Sequence, residues 1–302
     1  MKRIFNVTIR MNLFILTLLI SNQMFSQKSL QKQFERIADT LNGKIGISAL
    51  LLESGESISF NGDKRFPMQS VYKFPIAMVM LQQIDIGRFS LGDTIEIHSR
   101  EYLPKAGHSP IRENYPDGAS LTIKEILQYN VSQSDGTACD VLLKLLGGTR
   151  KVQKSIHDLG VKNIAVSTTE MVQVLNDTVQ YKNWSTPQAM NQLLEIFYQG
   201  DYLSGGSRDI LLKFMSISNK WSDRRIKGLL PAGTLLAHKT GTARTYNGQT
   251  IATNDAGIIT LPDGRHLAVS VFISDSYDSQ TKREMAIARA SKEAYEYWVI
   301  RK

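Results

Sequence analysis

The sequence predicts an α/β (α+β) fold in which an antiparallel sheet, built from both ends of the chain, is flanked by helices and carries an inserted all-helical lobe. Three observations predict it: apolar residues alternate near residue 45, follow helical spacing through the middle of the chain, and alternate again after residue 234. Because each element must bury its apolar face, strands at both ends favour one shared sheet. A cleft between the two lobes is the expected place for an active site.

The N-terminal elements are a helix and two strands. Leu30–Leu41 carries apolar residues at helical spacing, and Ile45–Leu51 alternates as a strand does. Ser54-Gly55 is typical of a turn, after which the alternation resumes over Ile58–Phe60. We therefore expect one helix followed by a β-hairpin.

The middle of the chain is helical. Thr122 and Glu125 have the spacing of a capping box, which predicts a helix start. A second apolar run ends at Gly147-Gly148, a typical helix end. Thr186-Pro187 predicts another helix, since proline is favoured at the first helical position, and its apolar spacing continues to Tyr198.

The C-terminal third returns to strands. Thr234–Thr242 and Gly257–Leu261 are candidate strands, and Leu267–Ile273 alternates after a turn at Pro262-Asp263-Gly264. A last helix is expected over about residues 282–300. These strands complete the sheet that begins at the N-terminus.

The first 26 residues have the pattern of a secretory signal peptide. Lys2, Arg3 and Arg10 precede an apolar stretch over Met11–Ile20, and small and polar residues follow it. An uncleaved membrane anchor is the alternative, although this stretch is short for a bilayer span. We expect export to the periplasm of a Gram-negative cell. Loss of these residues lowers the net charge from +8 to about +5, with no stable membrane association afterwards.

Composition excludes several classes of site. Cys139 is the only cysteine, so an intramolecular disulfide and a thiolate metal cluster are both excluded. The five histidines show no metal-ligand spacing, and we expect neither a metal nor a cofactor. The densest basic group, Arg224, Arg225 and Lys227, has no aromatic platform for stacking bases beside it. We therefore expect no nucleic-acid partner.

Ser70 and Lys73 form the first candidate catalytic pair. On a helix, residues three apart share a face, so the lysine amine can reach the serine hydroxyl. A lysine that is partly desolvated in a cleft can take the proton of a serine nucleophile. The same spacing recurs at Ser29/Lys32 and Ser279/Lys282, but only Ser70 stands where a strand gives way to an apolar helix.

Two further motifs carry chemistry. Ser134-Asp135-Gly136 follows a predicted helix, where Ser134 is placed for a proton relay and Asp135 for a helix cap. Lys239-Thr240-Gly241-Thr242 lies on a predicted strand, where a lysine and a hydroxyl can hold a carboxylate. An edge-strand lysine that prevents sheet aggregation is the alternative reading of Lys239.

Together, S-x-x-K, S-D-x and K-T-G, in this order on helix, loop and strand, resemble the penicillin-recognising serine enzymes, and their intervals resemble the class A β-lactamases over essentially the whole mature chain. Gln69, the segment 134–140 and the segment 180–184 are similar to the PER/VEB-type extended-spectrum branch common in Bacteroidetes. The resemblance implies the serine β-lactamase/penicillin-binding-protein transpeptidase-like fold.

The resemblance also implies roles for individual residues. Ser70 is the expected nucleophile, Lys73 and Ser134 move protons, and the N–H groups of Ser70 and Thr242 form the oxyanion hole. Glu170 is the expected base for the deacylating water, and the base in acylation is either Glu170 or Lys73. The residues implied to bind substrate are Lys239, Thr240, Gly241, Thr242, Arg225, Gly136 and His108.

Four departures from the family pattern affect the Glu170 loop and its surroundings. Gly136 and Val174 replace asparagines, and Asp140 replaces a third, a change that the PER/VEB-type branch shares. Thr168 and Asn183 stand where an arginine and an aspartate usually pair, and Asn176 is out of register with the missing asparagine. We therefore expect this loop to be held differently, and deacylation to be the slower step.

The expected function is hydrolysis of the β-lactam amide of penicillins and cephalosporins, including extended-spectrum cephalosporins, by a monomer that confers antibiotic resistance. Residues 27–302 form the expected catalytic domain, with an α/β lobe over about 27–69 and 220–302 and a helical lobe over about 70–219. The alternatives are a low-molecular-weight penicillin-binding protein that acts on D-Ala-D-Ala peptides, which Glu170 disfavours, and a β-lactam sensor that stays acylated, which Val174 favours.

Overall fold

A computed structural model describes residues 28–217 and 222–301 of the chain. The predicted signal peptide, residues 1–26, lies outside the described residues. In the part that is described, no helix is both long enough and apolar enough to cross a membrane.

Eleven strands are found in the described residues, and six of them form the main sheet. The strands are β1 (Lys44–Leu51), β2 (Ser57–Phe60), β3 (Phe66–Pro67), β4 (Thr94–Ile97), β5 (Ala119–Thr122), β6 (Ile164–Ala165), β7 (Trp184–Ser185), β8 (Leu236–Thr242), β9 (Thr245–Tyr246), β10 (Gln249–Thr260) and β11 (His266–Ser276). The main sheet has the order β2-β1-β11-β10-β8, with β9 paired to β10. All of its pairings are antiparallel, so the predicted sheet shared by both chain ends is confirmed.

Ten α-helices are found in the same described residues. They are α1 (28–39), α2 (Lys73–Asp85), α3 (Pro110–Asn114), α4 (Ile123–Ser132), α5 (Gly136–Leu145), α6 (Thr149–Asp158), α7 (Glu170–Leu175), α8 (Pro187–Gln199), α9 (Gly205–Met215) and α10 (Gln280–Val299). The helix starts predicted from Thr122 and Thr186-Pro187 are confirmed, since both threonines cap their helices.

Strand β1 is buried on both faces. Larger apolar residues lie mainly on one face and small residues mainly on the other. Ile47 and Ala49 pack in one apolar cluster with residues of α1 and α10. On the opposite face, Ser48 accepts a hydrogen bond from the Asn191 side chain of α8. Helices therefore cover both faces of the sheet at this strand, and small residues on the second face let α8 approach closely.

Strand β10 is longer than the sequence predicts. The prediction began at Gly257, whereas the strand begins at Gln249. Thr253, Asn254 and Asp255 are polar but fully buried, because their side chains bond to neighbouring elements. Polar residues in a buried strand carry no periodic signal, which is why this half of β10 was missed.

Helix α2 forms the centre of the second apolar cluster. Its residues from Lys73 to Leu81 are all buried, and it packs against α4, α5, α6 and α9. Ser70 precedes it in a 3-10 turn over Gln69–Tyr72, which also contacts β8. The first candidate motif is therefore held at the junction between the helical core and the sheet.

Candidate active site

Ser70 and Lys73 are in direct contact, as their spacing predicts. The Lys73 Nζ donates to the Ser70 Oγ at 2.8 Å and also to the Glu170 carboxylate. The Lys73 side chain is 1% exposed. Burial is the largest single effect and disfavours the charged form, but nearby groups, the Glu170 carboxylate foremost, together raise the pKa of Lys73 above its ordinary value. Lys73 is therefore an ammonium at neutral pH.

The turn that carries Ser70 lies against the end of β8. Gln69 has a positive φ of 47°, a conformation that costs energy in a residue with a side chain. Its side chain donates to Gln180 Oε1 at 3.0 Å. A Cβ on Gly241 would lie 2.4 Å from the Met68 carbonyl oxygen and 3.1 Å from the Ser70 nitrogen. Only glycine at this position therefore allows β8 to pass so close to the Ser70 turn.

Ser134 joins the same site from the α4–α5 loop. Its own φ is positive, at 57°, and its Oγ accepts a hydrogen bond from Lys239 Nζ at 3.0 Å. Asp135 caps α5, since its carboxylate accepts from the Ala138 nitrogen. The same carboxylate accepts from the Ile111 nitrogen at 2.7 Å. The two roles expected for Ser134-Asp135-Gly136 are therefore compatible. Asp135 caps α5 and fixes the loop, and the Ser134 hydroxyl contacts Lys239.

Glu170 is the first residue of the short helix α7, whose N-terminus is held by Asp140. The Asp140 carboxylate accepts from the Glu170 nitrogen at 2.7 Å and from the Met171 nitrogen at 2.8 Å. Burial raises the pKa of Asp140 to about 6, although these hydrogen bonds favour the charged form. Each oxygen of the carboxylate accepts from one of the two N–H groups. An asparagine side chain has only one oxygen, so both N–H groups would have to share it.

Asn183 fixes the segment that leads into Glu170. Its Oδ1 accepts from the nitrogens of Ser167 (2.7 Å) and Thr168 (2.9 Å), and its Nδ2 donates to the Thr168 carbonyl at 2.9 Å. The side chain is fully buried. An amide bound to backbone groups therefore stands where the resemblance leads one to expect an ion pair, and the loop is held differently, as predicted.

Of the two residues near the missing asparagine, Val174 lines the cleft and Asn176 does not. Val174 is half-buried and lines the cavity beside Glu170. Asn176 instead caps the 3-10 turn Asp177–Lys182, because its Oδ1 accepts from the Thr178 nitrogen at 3.0 Å. No asparagine side chain of this segment thus takes the place of the one that Val174 replaces.

Lys239 lies on β8 with its side chain almost wholly buried. It donates to the Thr240 carbonyl as well as to Ser134. Burial, reinforced by the positive charge of Lys73, lowers the pKa of Lys239 to about 7. The pKa values of the two lysines thus shift in opposite directions, because Lys73 is paired with the Glu170 carboxylate and Lys239, among the described residues, donates only to Ser134 and the Thr240 carbonyl.

Arg225 lies behind β8 and is 4% exposed. Its guanidinium donates to the Gly241 carbonyl, to the Asn254 carbonyl at 2.7 Å, and to the Thr242 Oγ1 at 2.6 Å. Its Nε lies 3.6 Å from the Glu284 carboxylate. Arg225 therefore fixes the end of β8 and the Thr242 hydroxyl.

His108 borders the cleft, whereas Gly136, which the resemblance implies binds substrate, is buried beside it and does not line the cleft. The His108 carbonyl accepts from the Gly136 nitrogen at 3.0 Å, and the His108 ring bonds to the Gln133 carbonyl. A Cβ on Gly136 would lie 2.3 Å from Leu103 Cδ1. A side chain at this position would therefore require the end of the Leu103 side chain to move.

Two adjoining cavities open onto these residues. One, of about 440 Å³, is lined by Ser70, Lys73 and Glu170; the other, of about 520 Å³, is lined by Lys239 and Arg225. Ser134, Thr240, Thr242 and His108 border both cavities. Gln173 and Arg244, which the sequence did not single out, also line the first. In residues 28–217 and 222–301, no group of three or more His, Cys, Asp and Glu side chains could hold a metal ion.

A serine bonded to a buried lysine, with a second hydroxyl and a carboxylate around one cleft between sheet and helices, defines a serine enzyme of the penicillin-recognising fold. The family model described as "Beta-lactamase enzyme family" matches residues 29–298. The chain therefore belongs to the β-lactamase family.

Individual relatives agree with this membership. The chain is 40% identical to the β-lactamase VEB-1 of Pseudomonas aeruginosa over 285 residues, 94% of each protein. It is 39% identical to the extended-spectrum β-lactamase PER-1 of the same organism, covering 89% of this chain and 87% of that one. Among solved structures, a β-lactamase from Chitinophaga pinensis is 45% identical with a TM-score of 0.86, covering 89% of this chain and 98% of that one. The TLA-1 extended-spectrum β-lactamase is 41% identical with a TM-score of 0.88, covering 91% and 99%.

Asn183→Ala tests the loop clamp. It removes three hydrogen bonds from the segment before Glu170, so we expect the steady-state rate of deacylation to fall by about tenfold or more, equivalent to ~1.4 kcal/mol. The measurement is the burst of acylation and the subsequent steady rate with a chromogenic cephalosporin.

Asn176→Ala is the matched control, because it removes an exposed amide from the same loop. Its burst and steady rate are expected to stay within about twofold of the parent values. Equal slowing by both substitutions, or no slowing by Asn183→Ala, would show that the clamp does not position Glu170.

Proposed function

We propose that the chain is a periplasmic class A serine β-lactamase that hydrolyses penicillins and cephalosporins, including extended-spectrum cephalosporins, as a monomer. The observation that carries the proposal is the continuous contact from Ser70 through Lys73 to Glu170. Relatives described as extended-spectrum enzymes support the wider substrate range. Export rests on the sequence pattern of residues 1–26.

Acylation begins with the loss of the Ser70 proton. Because Lys73 is already an ammonium, it cannot accept this proton unless it first gives one up. Lys73 bonds both to Ser70 and to Glu170, so it can pass a proton to the carboxylate as it takes the one from the serine. We therefore assign Glu170 as the final acceptor in acylation and Lys73 as the relay.

The tetrahedral intermediate needs stabilisation of its oxyanion and a proton for its leaving group. The N–H groups of Ser70 and Thr242 supply the oxyanion hole, a role supported by the close approach of Gly241, the residue before Thr242, to the Ser70 nitrogen. Ser134 is held by Lys239, which makes it the donor to the ring nitrogen that leaves. The proton held on Glu170 returns through Lys73 to the Ser134 oxygen in the same cavity, which restores the Ser134 hydroxyl and leaves Glu170 a carboxylate for deacylation.

The substrate carboxylate binds at Lys239 and Thr240, with the Thr242 hydroxyl beside them. Arg225 acts on this subsite through Thr242, because its guanidinium donates to that hydroxyl. The buried cationic side chains of Lys239 and Arg225 favour an anionic substrate. His108 lines the same cleft, while Gly241 lets β8 lie close to the Ser70 turn and Gly136 is buried behind the cleft wall.

Deacylation requires a base beside the acyl group, and Glu170 occupies that position. Asp140 and Asn183 fix the backbone on either side of it. A sensor that stays acylated is the second candidate, because Val174 offers no hydrogen bond to the attacking water. The backbone contacts that fix Glu170 favour the hydrolase.

Turnover counting separates these candidates. Purified protein with an excess of chromogenic cephalosporin is expected to convert many equivalents of substrate per protein. A single stoichiometric burst, with a stable adduct on Ser70 found by mass spectrometry, would support the sensor and contradict the hydrolase. A penicillin-binding protein would instead release D-Ala from a D-Ala-D-Ala peptide, a product that we do not expect.

Glu170→Gln, assayed alongside, is expected to trap the acyl-enzyme. Burial lowers the pKa of Lys73 and the Glu170 carboxylate is the largest effect that opposes it, so removing the carboxylate lowers this pKa and favours a neutral amine that can take the Ser70 proton. Acylation should persist while deacylation slows by about a thousandfold or more, since a general base contributes roughly 10²–10⁴-fold. Turnover by this variant at the parent rate would contradict the role of Glu170.

The pH profile tests the role of Lys239. Its pKa is lowered to about 7, so its ammonium is present below that pH and lost above it. Because kcat/KM reports groups of the free enzyme, kcat/KM for an anionic β-lactam should fall as the pH rises through about 7. Lys239→Arg should move this limb to higher pH, since a guanidinium stays charged. An alkaline limb at the same pH in both proteins would exclude Lys239 as its source.

A further inference from the structure

We propose that Asn254, a buried residue of β10, is a positioning residue that sets the separation of the two N–H groups in the oxyanion hole. The inference rests on the proposed function, because it assigns a structural source to one part of that mechanism. Asn254 lies behind the site and touches no substrate. It acts through the two segments that supply the oxyanion hole, the Ser70 turn and the end of β8.

The Asn254 amide holds the chain immediately before the Ser70 turn. Its Nδ2 donates to the Pro67 carbonyl at 2.7 Å and to the Met68 carbonyl at 3.0 Å. Its Oδ1 accepts from the Ile273 nitrogen at 3.2 Å. The side chain is 0% exposed, so water cannot replace these bonds. The amide thus joins the Ser70 turn to two strands of the sheet.

The backbone of Asn254 holds the other half of the oxyanion hole. Asn254 is the register partner of Gly241 across β10 and β8, one residue before Thr242. Its carbonyl accepts from the Arg225 guanidinium, which also donates to the Gly241 carbonyl and the Thr242 hydroxyl. One residue therefore contacts both segments, with its side chain on the first and its backbone on the second.

The Ser70 turn needs this restraint because its geometry is tight. Gln69 holds a positive φ, and the Met68 carbonyl lies where a Cβ on Gly241 would be. The Asn254 amide, which donates to that carbonyl, ties the start of the turn to β10. Without the amide, the Pro67 and Met68 carbonyls each lose a donor from β10, and Met68 keeps only the Val71 N–H within the turn, so the turn would be free to move away from Thr242.

The chemistry at this position requires two donors. Asn254→Asp keeps the shape but turns a carboxylate towards two carbonyl oxygens, which repel it. Asn254→Ser keeps one hydroxyl donor on a shorter side chain, and Asn254→Ala keeps none. The three variants therefore separate loss of volume from loss of donors.

Asn191 supplies the matched control. It is also a buried amide that joins elements of the fold, with Nδ2 donating to Ser48 and to the Ala268 carbonyl, and Oδ1 accepting from Ser270. These contacts link α8 to the sheet and reach neither the Ser70 turn nor the end of β8. Asn191→Ala should therefore lower the free energy of unfolding to a comparable extent without changing the oxyanion hole.

The test compares binding of a transition-state analogue with binding of substrate. An arylboronic acid forms a tetrahedral adduct with Ser70 and places one oxygen in the oxyanion hole. For the Asn254 variants we expect kcat and the affinity for the boronic acid each to fall by about tenfold or more, a fraction of the roughly 10²–10³ lost with a whole oxyanion donor. KM should change by less than about threefold, and Asn191→Ala should match the parent in all three quantities.

Three outcomes would overturn the inference. The first is unchanged boronic acid affinity in folded Asn254 variants. The second is an equal loss in Asn191→Ala, which would indicate a general effect of stability. The third is failure of all three Asn254 variants to fold while Asn191→Ala folds, which would make Asn254 a requirement of the fold. Turnover by the parent protein is measured first, so failure of the proposed function is seen separately.

Discussion

The buried contact between Lys73 and Glu170 is the interaction on which the rest of the site depends. Taking two charges out of water is costly, and a buried pair is tolerated only where both partners are held in good geometry. Lys73 is held by the buried helix α2, and Glu170 by the contacts of Asp140 and Asn183 with its loop. Each partner comes from a separate element, so the pair forms only when the helical core and the Glu170 loop are both in place.

Hydrogen bonds from buried polar side chains to backbone groups recur at each point where the site must be fixed. Asn183 holds the segment before Glu170, Asp140 holds the start of α7, and Asn254 holds the chain before Ser70. The two asparagines restrain the backbone without adding a charge to the site, whereas Asp140 does so with a carboxylate. This arrangement explains how the Glu170 loop keeps its position without the ion pair that the resemblance leads one to expect.

The sequence predicted the parts of the site that depend on local spacing. Ser70 and Lys73 share a helical face, and Lys239 follows the strand pattern of β8, so both were accessible to local rules. The position of Asn254 could not be predicted in this way, because a polar residue in a buried strand has the same local sequence pattern as a loop residue. The contacts of Arg225 were also missed, since its partners lie about 16 and 29 residues away along the chain and only the sheet register brings them together.

The most direct test of the central claim is the protonation state of Lys73, followed by NMR of protein labelled at the lysine ε-carbon. Replacement of Lys73 by arginine identifies its signal. If Glu170 holds the charge on Lys73, the signal titrates above the ordinary lysine pKa of 10.5, and in Glu170→Gln it titrates at lower pH. A Lys73 amine already neutral at pH 7 in the parent protein would contradict the claim and make Lys73 itself the base in acylation.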